Sequence, residues 1–518
     1  MTDKYPQSRN RFELFRDSFK HLFLPASEAN HVKVLLGFIT LAGVILRLYI
    51  INDPIGYDEA YTFINFSSKS FKFVLADYHA PNNHILNSLL IGIVYRILGN
   101  HLWIVRVPAF MAGVLGIPAA FIAARRLFTA QQALAASAIL AIIPNIVAAS
   151  ANGRGYTLII LFSLLLVNFA GILVKKQSRS AMTAYAITGA LGFYSIPIFL
   201  YPMAGVSLWV ATTYLSTNET WQIKWNNLRN FLLTCALSGV LAFILYSPVI
   251  FFGTGFRSII ANDIVKSQSW HDFGDNLVTR SALTWQSWME SIAPAVRYIF
   301  GLGFLLSISL YRKISNQKLP LQVFIIIGAG IMLVLQRVMP LPRIWGYLEM
   351  FYFLFSAAGL IGVGHLMFNT AKKEQAGPTL LSGFVLLAVI LVFTNVTLKT
   401  QNKQARLDRP VAPELFAAEY LATHLTDKDT LVAVAPADIR TAYYLKIKGV
   451  PYDVFYQRDH PVDIQNALVL VRTRGEYNIN TLEKVLDFFD LTSRLNTASS
   501  QQVFEYGPLF IYSIPANK

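Results

Sequence analysis

The sequence is poor in charged residues, which make up only 14% of its 518 positions, whereas 54% are hydrophobic. The mean hydropathy is +0.46. Soluble globular domains usually contain about 25% charged residues, so this composition excludes an ordinary soluble protein. The sequence therefore predicts a multi-pass membrane protein whose apolar segments cross a lipid bilayer.

Cysteine and intramembrane acids are also scarce. The single cysteine, Cys235, can form no disulfide within the chain. Glu349 is the one carboxylate that falls inside a predicted span, and no internal repeat is visible. Transporters commonly need polar groups near the membrane midplane and repeated halves. These absences favour a reaction at the membrane surface, and a lipid or solute transporter or flippase is the alternative.

The formal net charge is +15, but the basic residues stand in short clusters between apolar runs. A nucleic-acid-binding protein would present a contiguous basic face, so we expect no nucleic-acid partner. Basic residues near span ends instead mark the cytoplasmic side. The clusters are Arg125/Arg126, Lys175/Lys176/Arg179, Lys224/Arg229, Arg312/Lys313/Lys318 and Lys372/Lys373.

One short segment decides the predicted topology. Ile85 to Leu98 has its apolar residues at helical spacing but is too short to span the bilayer comfortably. If it lies in the interface, every basic cluster falls on the side of the basic N-terminus. We therefore predict a plasma (inner) membrane protein with a cytoplasmic N-terminus. Arg47, near the outer end of the first span, is expected to reach the interface.

This topology gives about eleven transmembrane helices. The predicted spans are Val34–Ile51, Trp103–Ala124, Gln131–Ser150, Tyr156–Val174, Met182–Ile196, Ile198–Tyr214, Phe231–Phe252, Ser291–Tyr311, Leu321–Leu335, Trp345–Phe368 and Thr379–Leu398.

The predicted membrane domain covers residues 1–400, with a first outer loop at 52–102 and a long outer loop at 253–290. Residues 401–518 alternate strand-like and helical patterns. Strands are expected at 430–435, 467–471 and 509–513, and helices at 415–424 and 481–489. The sequence thus predicts a small C-terminal α/β domain on the extracytoplasmic side.

The first outer loop holds two adjacent acids, Asp58 and Glu59. Adjacent helical residues point about 100° apart, so only one of them can face a reacting group. Asp58 could merely cap a helix that starts at Glu59. Alternatively, it is a general base that takes a proton from an acceptor hydroxyl, and we choose it as the candidate catalytic residue.

Two histidines, His79 and His84, follow in the same loop. Together with Glu59 they could bind a divalent metal, although their spacing matches no regular metal motif. They could equally be hydrogen-bonded structural residues, or contact a substrate phosphate. Asn83 could contact substrate or form the turn after Pro81.

Two arginines are predicted at the same membrane face. Arg154 lies in the short segment Asn152-Gly153-Arg154-Gly155-Tyr156, and Arg343 precedes a later span. Each could be an interfacial arginine or could bind a phosphate, for which the guanidinium group is well suited. Tyr156 is a further candidate substrate contact.

These segments together resemble a known family. The matching stretches are GYDEAYT, HAPNNHILNSLL, LWIVRVPAFMAGVLGIPAA, AARRLF, NGRGY and PLPRIWGYLEMFYF, in this order between residues 56 and 360. The chain resembles the GT-C glycosyltransferases, in particular bacterial relatives of protein O-mannosyltransferases and of the lipid A aminoarabinose transferase. It departs from the aminoarabinose transferase in two ways. It has no lysine before Pro81, and it has Tyr156 at a position where a second acid is expected.

The resemblance implies a GT-C fold and inverting transfer of a sugar from a polyprenyl-phosphate donor. The acceptor would be a hydroxyl of a glycan, lipid or protein at the outer membrane face. Asp58 matches the family's catalytic acid, and Arg154 and Arg343 lie where relatives carry basic residues near the lipid phosphate. His84 would assist them. The resemblance implies no certain cofactor, and the divalent metal considered above stays open.

Overall fold

The computed structural model describes residues 22–23, 28–260, 266–370, 412–458, 463–474 and 478–517. The predicted last span, Thr379–Leu398, and the boundary expected at residue 400 lie outside these residues.

The described membrane part is helical. Its helices are α1 (Asn30–Tyr49), α2 (Tyr57–Thr62), α3 (Phe71–Ala76), α4 (Ile85–Leu98), α5 (Val107–Leu127), α6 (Ala130–Ile142), α7 (Pro144–Ser150), α8 (Tyr156–Leu173), α9 (Arg179–Ser195), α10 (Leu200–Leu215), α11 (Trp221–Phe252), α12 (Phe256–Ile260), α13 (Trp270–Met289), α14 (Pro294–Ser309), α15 (Tyr311–Ile314), α16 (Leu321–Gln336) and α17 (Gly346–Thr370).

Within the described residues, 6 helices are long and apolar enough to cross a membrane, or up to 8 if each bent pair is one span. The multi-pass prediction is confirmed, whereas the count of about eleven is not. Helices α9 and α16 match two further predicted spans but contain only 17 and 16 residues. The predicted short helix at Ile85–Leu98 is present with those bounds.

Two predicted segments have a different local structure. The predicted span Gln131–Ser150 is divided into α6 and α7, which meet at 62°. Pro144 begins α7, and a proline cannot donate the backbone hydrogen bond that a continuous helix needs. The predicted long outer loop at 253–290 contains the 20-residue helix α13. Ser269 caps this helix by accepting a hydrogen bond from the Asp272 N–H at 3.1 Å.

Arg47 does not extend to the surface as expected. Its side chain is fully buried and donates hydrogen bonds to the Ser150 hydroxyl at 3.0 Å and to the backbone oxygens of Gly43 and Ala141 at 3.0 Å each. Gly43 belongs to α1, Ala141 to α6 and Ser150 to α7, so the Arg47 side chain joins three helices. A sequence read one helix at a time does not reveal those partners.

The C-terminal part forms the predicted small α/β unit. Its elements are α18 (Pro413–His424), β1 (Asp429–Ala433), α19 (Ala437–Ile447), β2 (Asn466–Arg472), α20 (Leu482–Phe488), β3 (Gln501–Tyr506) and β4 (Leu509–Pro515). The sheet order is β1-β2-β4-β3, with β1 parallel to β2 and the other pairs antiparallel. The prediction missed β3, whose residues are mostly half-exposed or exposed, and α19.

This C-terminal unit packs against the first loop of the membrane part. One apolar cluster contains Phe63 and Ile55 from the loop together with Tyr443 and Leu445 from α19 and Leu468 from β2. Burial of apolar surface is the main force that holds such elements together. The segments on either side of Asp58 therefore contact the C-terminal unit as well as the membrane part.

Candidate active site

The site is built around α2, a helix of only six residues that continues into a π-helical turn at Phe63–Ser67. The helix begins two residues earlier than the capping hypothesis required, because Gly56 is its N-cap. Asp58 is therefore inside the first turn and forms no side-chain cap. Glu59 supplies the cap instead, since its Oε2 accepts a hydrogen bond from the Gly56 N–H at 2.8 Å.

Glu59 is held in a buried hydrogen-bond network. Arg106 donates to its two carboxylate oxygens from Nε at 2.9 Å and from Nη2 at 3.1 Å. The Gly153 N–H donates to Oε1 at 2.7 Å. Glu59 and Arg106 are each only 3% exposed. Glu59 therefore fastens α2 both to Arg106 and to the Asn152–Tyr156 segment, so it has a structural role.

Arg106 also fixes the chain that leads into α2. Its Nη1 donates to the backbone oxygens of Ile51 at 2.8 Å and Asp53 at 2.7 Å, and its Nη2 donates to that of Pro54 at 3.1 Å. The sequence analysis did not select Arg106 as a site residue. A charged residue near the start of the predicted span Trp103–Ala124 was the available signal, but its partners lie about fifty positions earlier.

Asp58 has a more open environment. Its side chain is 28% exposed, and its Oδ2 lies 3.1 Å from Nη2 of Arg343, which is itself 53% exposed. The Asn82 amide donates to Asp58 Oδ1 at 3.4 Å. The structure therefore brings together Asp58 and Arg343, which are separated by most of the membrane domain in sequence. Asn82 is a neighbour that the sequence prediction did not select.

Arg154 is the buried cation of the site. Only 3% of the residue is exposed, and its Nη1 donates to the Thr62 hydroxyl at 3.1 Å. It also contacts the Asp58 backbone oxygen at 3.4 Å and Asn82 Oδ1 at 3.5 Å. Its Nε has no partner, and no carboxylate among the described residues forms an ion pair with it. A buried guanidinium without a counter-charge is a suitable binding group for an anion.

His84 points a second donor at the same place. The Gly155 N–H donates to Nδ1 of His84 at 2.9 Å, so a neutral His84 carries its proton on Nε2. That nitrogen lies 3.3 Å from Nη2 of Arg154. Two N–H groups at this distance cannot hydrogen-bond to each other, but they can both donate to one oxygen of an anion.

The electrostatic environment keeps His84 neutral. Burial lowers the pKa of its imidazole well below the usual value of 6.5, and the positive charges of Arg154 and Arg343 lower it further. An anion bound beside these two arginines would oppose that effect, because it favours the protonated imidazole.

The remaining predicted site residues have other partners. His79 pairs with Asp77, and its Nε2 lies 3.3 Å from the Tyr61 hydroxyl. Asn83 is buried and donates to the backbone oxygens of Val74 at 3.0 Å and Asp77 at 2.7 Å. Asn83 therefore stabilises the turn in which it lies.

Tyr156 stays next to the anion-binding candidates. Its ring packs edge-on against His84 with 5.3 Å between ring centres, and the Arg154 guanidinium lies 5.8 Å from its centre. It can therefore orient both residues.

The residues considered for a metal do not converge. Glu59 is bound by Arg106, His84 faces Gly155 and Arg154, and His79 faces Asp77. The part of the chain that the structure describes contains no group of three or more His, Cys, Asp or Glu side chains that could hold a metal ion.

Comparison with known proteins identifies one matching family model and similar solved structures. Residues 81–252 match the family model of dolichyl-phosphate-mannose-protein mannosyltransferases. No curated protein sequence matches the chain. The chain is similar to the crystal structure of apo ArnT from Cupriavidus metallidurans, with a TM-score of 0.58, 14% identity, and coverage of 94% of this chain and 98% of that one.

A second structure of the same neighbour, ArnT from Cupriavidus metallidurans bound to undecaprenyl phosphate, has a TM-score of 0.52 and 18% identity, with the same coverage of 94% and 98%. The chain has the GT-C fold. The GT-C fold expected from the sequence is thereby confirmed, and the structural similarity covers 94% of this chain.

Proposed function

We propose that the protein is an inverting glycosyltransferase that takes a sugar from a polyprenyl-phosphate donor. The observation that carries this proposal is the buried pair Arg154 and His84, whose N–H groups lie 3.3 Å apart and share no acceptor. A phosphate oxygen between them would satisfy both donors. The family model and the GT-C fold support a glycosyl transfer, and the neighbour's bound undecaprenyl phosphate supports the class of lipid carrier.

In the proposed reaction Asp58 accepts the proton of an acceptor hydroxyl. The hydroxyl oxygen attacks the anomeric carbon and forms the new glycosidic bond. The bond from that carbon to the phosphate oxygen breaks on the opposite side, and its electron pair leaves with the lipid phosphate. Arg154 and Arg343 stabilise the charge that develops there. Asn82 contacts both Asp58 and Arg154, which supports assigning the base and the phosphate-binding arginine to one site.

The site faces the outer side of the plasma (inner) membrane in this proposal, with α4 along the interface and the C-terminal unit extracytoplasmic. Residues 1–400 would form the catalytic domain and residues 401–518 the second domain. The acceptor would be a glycan, lipid or protein hydroxyl. A divalent metal at Glu59, His79 and His84 is not part of the proposed mechanism, because each of these residues has another partner.

The test compares envelope glycolipids, glycans and glycoproteins by mass spectrometry in cells with and without the protein. We expect a mass difference of one sugar, restored by the wild-type chain. Asp58→Asn should lower the rate of transfer by about 10²- to 10⁴-fold, the usual contribution of a general base.

Asp53→Asn is the matched control, because Asp53 lies in the same loop and is exposed. It should restore the product fully. Full restoration by Asp58→Asn would contradict the proposed base. A transporter would instead move its substrate without any new covalent product, so an unchanged set of envelope products would refute the transferase.

A further inference from the structure

Helix α19 of the C-terminal unit contacts the segment that leads into α2. The Ile55 N–H donates a hydrogen bond to the Tyr444 hydroxyl at 3.1 Å. Ile55 is buried, and it lies three residues before Asp58. Tyr444 is also buried, so few water molecules compete for this bond. The backbone at the start of α2 is thus tied directly to α19.

The neighbouring Tyr443 makes a second attachment. Its hydroxyl donates to the backbone oxygen of Leu102 at 2.8 Å, at the other end of the first loop. Its ring packs edge-on against Phe63 with 5.3 Å between ring centres. Phe63 begins the π-helical turn that directly follows α2. Consecutive residues of α19 therefore hold the segments before and after the helix that carries Asp58.

These contacts matter because α2 is only six residues long. An isolated helix of fewer than about 12 residues is marginal in water, so its position depends on tertiary contacts. One set comes from the membrane part, where Glu59 binds Arg106 and the Gly56 N–H. The other comes from α19. The two successive backbone N–H groups of Ile55 and Gly56 are thus held by different parts of the chain.

We propose that Tyr443 and Tyr444 are positioning residues for the transfer reaction, through which the C-terminal unit holds Asp58 in reacting geometry. This inference rests on the proposed function. Neither tyrosine contacts Asp58. Each acts on the backbone that carries it, and small displacements of a reacting group lower the rate strongly. The C-terminal unit is then a part of the catalytic machinery.

The test uses the full-length protein with Tyr444→Phe and Tyr443→Phe, which keep the packed rings and remove only the hydroxyls. We expect kcat to fall by about 2- to 12-fold for each variant, corresponding to the loss of one hydrogen bond. KM for the lipid-linked donor should stay unchanged, because Arg154 and His84 are untouched. In parallel, hydrogen–deuterium exchange of the Ile55 amide should become faster in Tyr444→Phe.

Tyr456→Phe is the matched control. Tyr456 is buried in a separate apolar cluster of the C-terminal unit that includes Val469 and Val485. Its hydroxyl accepts a hydrogen bond from Arg494 at 3.3 Å. It makes no contact in that cluster with the first loop. We expect its kcat and the exchange of residues 55–62 to equal those of the wild type.

The outcomes separate this inference from the proposed function. Wild-type kcat and wild-type amide exchange in both α19 variants would overturn the positioning role. An equal fall of kcat in Tyr456→Phe would overturn it too, because the loss would then come from general weakening of the unit. If the wild type transfers no sugar, the proposed function fails, whereas the exchange measurement still tests the attachment.

Discussion

Glu59 and Asp58 are successive residues of α2, and their surroundings are opposite. Glu59 accepts four hydrogen bonds, two from Arg106 and one each from the Gly56 and Gly153 backbones. Asp58 contacts the half-exposed Arg343 and one amide, and it remains 28% exposed. A fully satisfied buried carboxylate is a fixed structural element, whereas a partly exposed one can exchange partners. Glu59 therefore holds the loop in place, whereas the Asp58 carboxylate stays accessible to a substrate.

The same contrast separates the arginines. Arg106 has a carboxylate partner and three backbone oxygens, so its hydrogen-bonding capacity is used within the protein. Arg154 is equally buried but lacks a carboxylate partner among the described residues, and its Nε is unpaired. Leaving a buried charge without compensation costs stability. Such a cost is reasonable where a ligand supplies the missing charge.

The first prediction concerns stability and has the largest expected effect. Arg106→Ala should destabilise the protein by about 3–5 kcal/mol, because it leaves the Glu59 carboxylate buried without its cation. Thermal unfolding of the purified protein in detergent measures this change.

The control for that experiment is Arg343→Ala, which removes a partner of the other acid. A pair this exposed contributes about 0–1 kcal/mol, so the melting temperature should shift little. If Arg106→Ala and Arg343→Ala destabilised the protein equally, the distinction between a structural Glu59 and an accessible Asp58 would be refuted.

The second prediction concerns anion affinity. Arg154→Gln should weaken binding of undecaprenyl phosphate by about 10- to 150-fold, the effect of losing a charged hydrogen bond worth about 1.5–3 kcal/mol. Arg343→Gln should weaken it only about two- to fivefold, because its side chain is half-exposed and screened by water.

Native mass spectrometry or a thermal-shift titration with undecaprenyl phosphate provides the affinities. Arg312→Gln is the control, since Arg312 is exposed at the end of a different helix and should bind as the wild type does. The anion site would be misassigned if Arg154→Gln retained wild-type affinity.

The third prediction is the smallest and concerns pH. The pKa of His84 is lowered in the folded protein, so the unfolded chain takes up a proton first as the pH falls. Above the unfolded pKa of about 6.5, His84 is neutral in both states and causes no loss of stability. Below that pH, protonation of His84 in the unfolded chain lowers the free energy of unfolding by at most about 1.4 kcal/mol per pH unit. The decline ends once the pH is below the folded pKa.

Melting temperatures of the wild type and His84→Gln between pH 7.5 and 5 test this sign. The wild type should lose more stability over that range than the variant. Undecaprenyl phosphate should reduce the difference, because it favours the protonated imidazole. Parallel pH curves for both proteins would show that His84 is not the group responsible.

Much of the architecture could be predicted from the sequence. Apolar length and basic clusters identified a multi-pass membrane protein, and helical spacing identified the short helix Ile85–Leu98 with its observed bounds. Alternating patterns identified three of the four C-terminal strands. These properties are local, because each depends on residues a few positions apart. β3 was missed since its half-exposed residues give a weak pattern.

Reasoning from the sequence selected the candidate residues Asp58 in the first loop, Arg154 in its glycine-rich turn and Arg343 before a later span. The contacts of these and neighbouring residues depend on tertiary packing. This packing paired Glu59 with Arg106, buried Arg47 among three helices, and aimed the N–H groups of His84 and Arg154 at one position. Those contacts join residues between 47 and 103 positions apart, and no local pattern encodes such a distance. The physical reason is that burial and hydrogen-bond satisfaction belong to the packed chain as a whole.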